Sequence, residues 1–190
     1  MTLDRRTLLA GAAATAALAT QRAQATEPVY SPDVSLKGTS VLITGCSSGF
    51  GRLTAELLAR RGARVFATMR NLPRPEADEL IALAKAEDLK LHIIGIDVTE
   101  LDQVNAGVKE AERINGGPLD VLVNNAGIGI TSPVEVQDMT ATRLIFDTNV
   151  FGPHRMARAV LPGMRKAQRG LIIQISSQLG RVITPWSGHY

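Results

Sequence analysis

The sequence predicts an α/β domain built as a doubly wound parallel sheet with strand order 3-2-1-4-5 and helices on both faces. Three observations lead there. Short apolar, β-branched runs alternate with helical stretches along the chain. A turn carrying three glycines joins the first of those runs to the first helical stretch. Aromatic residues make up only 4% of the 190 residues, which suits short buried strands between helices better than an aromatic-rich sandwich. The length and the absence of a low-complexity tract fit one domain with its own core.

The strands are expected at residues 40–44, 64–68, 90–96, 120–124 and 171–176. Each is continuously apolar where a half-exposed strand would alternate, so each should be buried on both faces. Helical patterns cover 52–61, 76–86, 101–114 and a longer stretch at 140–167. Gly62, Gly116 with Gly117, and Gly170 fall just past helix ends, where a left-handed residue is favoured. Pro162 predicts a kink or a break inside the last helix. Right-handed crossovers then place ligands at the carboxyl ends of the strands, beside the reversal between the first and fourth.

Before this domain, residues 1–25 have the layout of an export signal: Arg5-Arg6, an alanine-rich apolar stretch, then Ala23-Gln24-Ala25 as a small-x-small cleavage pattern. The paired arginines resemble a twin-arginine signal, so a periplasmic or secreted location is expected, with membrane contact only during export. Residues 26–37 form a Pro-containing lead-in and 38–190 the domain itself. The formal charge of +3 owes much to Arg5, Arg6 and Arg22. Without that segment the charges nearly cancel, and no nucleic-acid surface is expected. Cys46 is the only cysteine, so no intramolecular disulfide can form. His92, His154 and His189 are scattered without ligand spacing, and no metal site is expected.

Thr44-Gly45-Cys46-Ser47-Ser48-Gly49-Phe50-Gly51 follows the first strand directly. Gly45 permits the tight turn, Gly49 lets backbone amides approach a phosphate, and Gly51 allows close packing of the helix, whose positive end then faces a pyrophosphate. This is the arrangement of a Rossmann-type dinucleotide site. An NAD-preferring fold usually places an acid at the end of the second strand. Here that place reads Ala67-Thr68-Met69-Arg70-Asn71, with a guanidinium and no carboxylate. NADP is therefore favoured over NAD, Arg70 meeting the 2′-phosphate.

Six signals in order, from the loop at Thr44 to Tyr190, make the chain resemble the short-chain dehydrogenase/reductases of the TGxxxGxG branch. Besides the loop they are Asp97-Val98, Asn124-Asn125-Ala126-Gly127, Asn149 in Asp147-Thr148-Asn149-Val150-Phe151-Gly152, Ser176-Ser177, and Tyr190 thirteen residues beyond Ser177. The resemblance implies a cofactor-binding set of Thr44, Gly45, Ser47, Ser48, Gly49, Phe50, Gly51, Arg70, Asp97, Val98, Asn124, Ala126 and Gly127. Asp97 would bond the adenine amino group, or else cap the helix that follows. Asn149, Ser177 and Tyr190 would be catalytic: Tyr190 as acid or base, Ser177 positioning the substrate oxygen, Asn149 extending a water relay. It also implies a small-molecule alcohol or carbonyl substrate and a homo-oligomer in the full-length form. The loop and Ala67-Thr68-Met69-Arg70 are similar to those of members acting on steroids, retinoids and other bulky substrates.

The family's lysine belongs four residues after the tyrosine, beyond the last residue here. A free phenol titrates near pKa ~10, and a cation lowering it by ~2–3 units would contribute roughly 3–4 kcal/mol to proton transfer. The expectation is therefore a fragment of a longer reductase, lacking the family's last strands and helices and poorly active by itself. A nucleotide-binding module without catalysis is the alternative. A sugar-nucleotide epimerase or dehydratase is disfavoured by the spacing of Gly45, Gly49 and Gly51.

Overall fold

The structure is a computed structural model that describes residues 34–182 and 184–188; the export signal, most of the lead-in, His189 and Tyr190 lie outside the described residues. In chain order the elements are β1 (Ser40–Ile43), α1 (Gly49–Arg60), β2 (Arg64–Met69), α2 (Pro75–Ala86), β3 (Leu91–Gly95) and α3 (Leu101–Asn115). They continue with β4 (Val121–Asn124), α4 (Met139–Phe146), a π-helical turn (Asp147–Phe151), α5 (Gly152–Ala167) and β5 (Leu171–Gln174). All five strands are parallel in the order β3-β2-β1-β4-β5, as the sequence predicts. Val41 aligns with Val65 on one side and Val121 on the other, which brings the carboxyl ends of β1, β2 and β4 to one rim.

The strand apolarity is explained by two cores, one on each face of the sheet. Val41 and Ile43 of β1 point to the side covered by Ala55, Ala59, Ala77 and Leu80 of α1 and α2. Leu42 between them points to Val104, Val108, Met156 and Val160 of α3 and α5. A strand whose alternate residues both meet helices has no wet face, hence no polar alternation. β5 is different: its outer edge has no partner strand among the described residues, and Leu171, Ile173 and Ile175 remain exposed.

Helix α5 corrects one expectation. Pro162 lies inside it, yet the helix runs unbroken to Ala167. The proline is on the exposed side, while Met156, Val160 and Met164 anchor the other side at four-residue intervals. The carbonyl that loses its donor thus faces water, and buried contacts hold the axis across the gap. The interruption in the 140–167 stretch falls instead at Asp147–Phe151, where the backbone widens into the π turn.

At the opposite rim, Asp120 joins β1 to β4. Its Oδ2 accepts the Ser40 N–H at 2.9 Å and the Ser40 hydroxyl at 2.8 Å, and its Oδ1 accepts from Arg169 Nε at 2.9 Å. Burial alone would favour the neutral acid, but the Ser40 donors and Arg169 hold the carboxyl below its ordinary range. Because the folded value lies under the unfolded one, the stabilisation is complete above the ordinary Asp value of ~3.9 and disappears as pH falls through the folded value. Asp120→Asn should cost about 1–3 kcal/mol at pH 7, from donors left with a poorer acceptor. Urea midpoints for variant and wild type should converge on acidification; a gap independent of pH would contradict the charged role.

Candidate active site

The loop after β1 is tied to both neighbouring strands. The Thr44 N–H donates to the Val123 carbonyl at 3.0 Å and the Cys46 N–H to the Thr68 carbonyl at 2.8 Å. From the β4 side, Asn125 Nδ2 donates to the Thr44 carbonyl at 2.8 Å and to the Gly45 carbonyl at 3.2 Å. Gly45 turns at φ +72° with Ala126 packed against it, so a side chain there would be both strained and blocked. Cys46 is fully buried, and desolvation pushes its thiol up to about 12 despite the opposing Thr68 contact, so it packs and does not react.

Helix α1 begins at this loop with its first amides free of any side-chain cap. Ser48, the residue before the helix, makes no capping bond, and the first turn contains no acid. A carboxylate there would compete with an anionic ligand; its absence leaves backbone N–H groups and the helix dipole available. Above them is a cavity of about 300 Å³ lined by Gly45, Ser47, Ser48, Phe50, Met69, Arg70, Ile96, Asp97, Val98, Ala126, Gly127 and Thr148 among others. A second cavity, of about 690 Å³, is lined by Asn149, Ser176, Ser177, Ile145, Phe146 and Val150 among others. The two share Phe50 and residues 125–128, so they are neighbouring parts of one cleft at the carboxyl rim.

Most of the sequence-selected residues therefore line one cleft, but several play a different part from the one expected. Thr44 is 1% exposed. Its hydroxyl accepts the Asn125 N–H at 3.0 Å and the Ala126 N–H at 2.9 Å, so it braces the loops that form the cleft. Gly51 likewise lies under the loop, against the Gly45 carbonyl and Asn125. Asn124 is 3% exposed, its Nδ2 near the Pro153 carbonyl and its Oδ1 without a protein partner. Asp97 does not cap α3, whose N-cap residue is Glu100. Its Oδ1 instead accepts the Thr99 N–H and hydroxyl, at 3.0 and 2.8 Å, and the residue lines the smaller cavity.

Asn149 differs most. Its Oδ1 accepts the Ile128 N–H at 2.9 Å and its Nδ2 donates to the Ile128 carbonyl at 2.8 Å. The amide clamps the loop after β4 with one N–H and one lone pair, and its second N–H and second lone pair are left for the expected relay. Ser177 starts the short turn Gln178–Gly180, and its Oγ accepts the Leu179 N–H at 3.1 Å, so its own hydrogen is free to donate into the larger cavity. Tyr190 falls outside the described residues. The sequence assigns no role to Asn125, which holds the glycine loop; the doubled asparagine of Asn124-Asn125-Ala126-Gly127 is the available signal.

Comparison with known proteins decides the family. A family model for short chain dehydrogenases matches residues 39–190. The chain belongs to the short-chain dehydrogenase family. Among curated relatives, 3-ketodihydrosphingosine reductase of Bacteroides thetaiotaomicron is 39% identical over 150 residues, 79% of this chain and 51% of the relative. Retinol dehydrogenase 8 of Homo sapiens is 40% identical over 144 residues, 74% of this chain and 45% of the relative. This short-chain dehydrogenase chain thus spans about half the length of the curated relatives it matches. The crystal structure of a gluconate 5-dehydrogenase from Burkholderia cenocepacia J2315, in complex with NADP and tartrate, superimposes with a TM-score of 0.75. It is 31% identical and covers 82% of this chain and 60% of that one.

Proposed function

We propose that this short-chain dehydrogenase chain binds NADP(H) in its cleft and belongs to an oxidoreductase that interconverts a small-molecule alcohol and its carbonyl. The observation that carries the reading is the continuity of the two cavities. An uncapped helix start and Asp97 stand at one end, and the Ser177 hydroxyl at the other. When bound, the nicotinamide supplies or accepts the hydride. Within the chain, the backbone amides at Ser48–Phe50 would receive the diphosphate, and the Asp97 carboxylate the adenine amino group. Ser177 would orient the substrate oxygen and Tyr190 would carry the proton. The larger cavity is bounded by Ile128, Ile145, Phe146 and Val150, which favours a substrate with an apolar body.

NADP rather than NAD is favoured by Arg70. It is exposed at the rim of the nucleotide cavity and pairs with no acid among the described residues, whereas neighbouring Arg74 is engaged by Glu76 at 2.8 Å. Arg70→Ala should weaken NADPH binding roughly 10–100-fold, the worth of a charge-assisted contact, and change NADH binding by less than about threefold. Calorimetric titration of both nucleotides checks this. Equal affinities in the wild type, or a preference that survives the substitution, would overturn it.

A nucleotide-binding module without catalysis is the second reading; it is favoured by the uncapped start of α1 and the smaller cavity, which need no proton donor beside Ser177. Nucleotide binding without turnover would support this reading for the 190-residue chain, and turnover at ordinary rates would exclude it. On our reading the enzyme also associates with itself. Periplasmic or secreted placement after twin-arginine export is proposed from Arg5-Arg6 and the Ala23-Gln24-Ala25 pattern. Among the described residues no helix is long and apolar enough to cross a membrane.

A further inference from the structure

The π turn between α4 and α5 is where both cavities meet a single short segment. Thr148 lines the nucleotide-sized cavity and Asn149, the next residue, lines the larger one. Such turns are uncommon because each extra residue per turn weakens the hydrogen-bond ladder, so the widened form must be held by contacts outside the ladder. Here those contacts converge on Arg155. Its Nη2 pairs with Asp147 Oδ1 at 2.7 Å, and its Nη1 points to the carbonyls of Asp147 and Val98 at 3.4 and 3.3 Å. The pair is half-buried, with the arginine side chain 25% and the aspartate side chain 36% exposed. One planar guanidinium thus joins the first turn of α5, the first residue of the π turn and the Val98 wall of the nucleotide cavity. Gly152 lets these parts close together, since a Cβ there would come within 2.8 Å of Val98 Cγ2.

We propose that Arg155 is a positioning residue whose bracket to Asp147 and Val98 keeps the π turn widened, so that Asn149 clamps Ile128 where the nucleotide and substrate cavities adjoin. Ile128 lines both cavities, and among the described side chains Asn149 alone holds its backbone N–H and carbonyl. Without the bracket, residues 147–151 would relax toward an ordinary α-helical turn. Losing the extra residue rotates what precedes it by about 100°, which would carry Asn149 away from Ile128. Lysine cannot replace this function fully, because a point charge keeps the Asp147 attraction but not the fork that also reaches Val98.

The inference rests on the nucleotide reading for its functional meaning, but its first test does not. Amide hydrogen exchange of the nucleotide-free protein should show the Ile128 N–H losing at least tenfold in protection in Arg155→Met, with Leu42 and Phe66 in the central strands unchanged. Arg155→Lys should fall between Met and wild type, and Asp147→Asn should resemble Met. Unchanged Ile128 protection in Arg155→Met, or equal loss at Leu42 and Phe66, would overturn the proposal. If Arg155→Met fails to fold, the lysine and Asp147→Asn variants decide on the same readout. NADPH should then add protection at Ile128 in the wild type and less in Arg155→Met; an equal gain in both would overturn the link to the cleft. Absence of NADPH binding to the wild type would sink the nucleotide reading, while the nucleotide-free exchange data would still decide the role of Arg155.

Discussion

Gly51→Ala should abolish measurable nucleotide binding and destabilise the domain by about 2–3 kcal/mol, the upper part of the ordinary range for overpacking. The reason lies in what a single methyl would meet: the carbonyl oxygen of Gly45 and Nδ2 of Asn125. Neither can move freely, because Asn125 Nδ2 is the donor that holds the Thr44 and Gly45 carbonyls, and Gly45 is pressed against Ala126. Relief must come from tilting α1 away from the sheet, which withdraws the uncapped amides from the diphosphate position. A displacement costing about 3 kcal/mol in binding is more than a hundredfold in affinity. Calorimetric titration with NADPH and urea unfolding check the two parts separately. Gly49→Ala is the control on available space: nothing lies within 4 Å of a Cβ there, and only its φ of +57° is strained. A Gly51→Ala protein that binds within threefold of wild type would refute the tight-packing role.

Thr44→Val should cost about 2–4 kcal/mol in stability with almost no change in shape. The hydroxyl is the acceptor for two amides, those of Asn125 and Ala126, and valine leaves both without a partner in a largely enclosed site. Each unpaired donor of this kind costs about 1–3 kcal/mol. Thr44→Ser keeps the acceptor and should lose under about 1 kcal/mol, mostly from the missing methyl. Denaturant midpoints for the three proteins give the comparison. A valine variant as stable as the serine one would show that the hydroxyl is dispensable. Nucleotide affinity should follow stability loosely, since Thr44 supports the loop and does not line the cleft.

Much of the architecture was legible because its causes are local or periodic. Strand positions followed from unbroken apolar runs, and the double burial of Val41, Leu42 and Ile43 explains why no alternation appears. Strand order followed from chain topology, which leaves few ways to connect five parallel strands with right-handed crossovers. The cleft was legible through Gly45, Gly49 and Gly51, since their spacing states a backbone requirement directly. The roles of polar side chains were less legible. Thr44 and Asn149 stand out in the sequence, yet their hydrogen bonds go to residues 81 or 82 and 21 positions away, and no local pattern reveals such partners. Proline was a misleading signal at 162, because its effect depends on which side of the helix faces water.

What the sequence determined alone is the succession of elements, their pairing into one parallel sheet and the glycine turn at its carboxyl rim. Each of these arises from backbone preference and hydrophobic period, both written within a few residues. Only the tertiary structure decided that Asn149 clamps Ile128, that Asp97 forms a turn instead of a cap, and that the widened segment 147–151 is bracketed by Arg155. Those features depend on which polar groups are left without partners once the helices pack. That balance exists only after distant parts of the chain have been brought together.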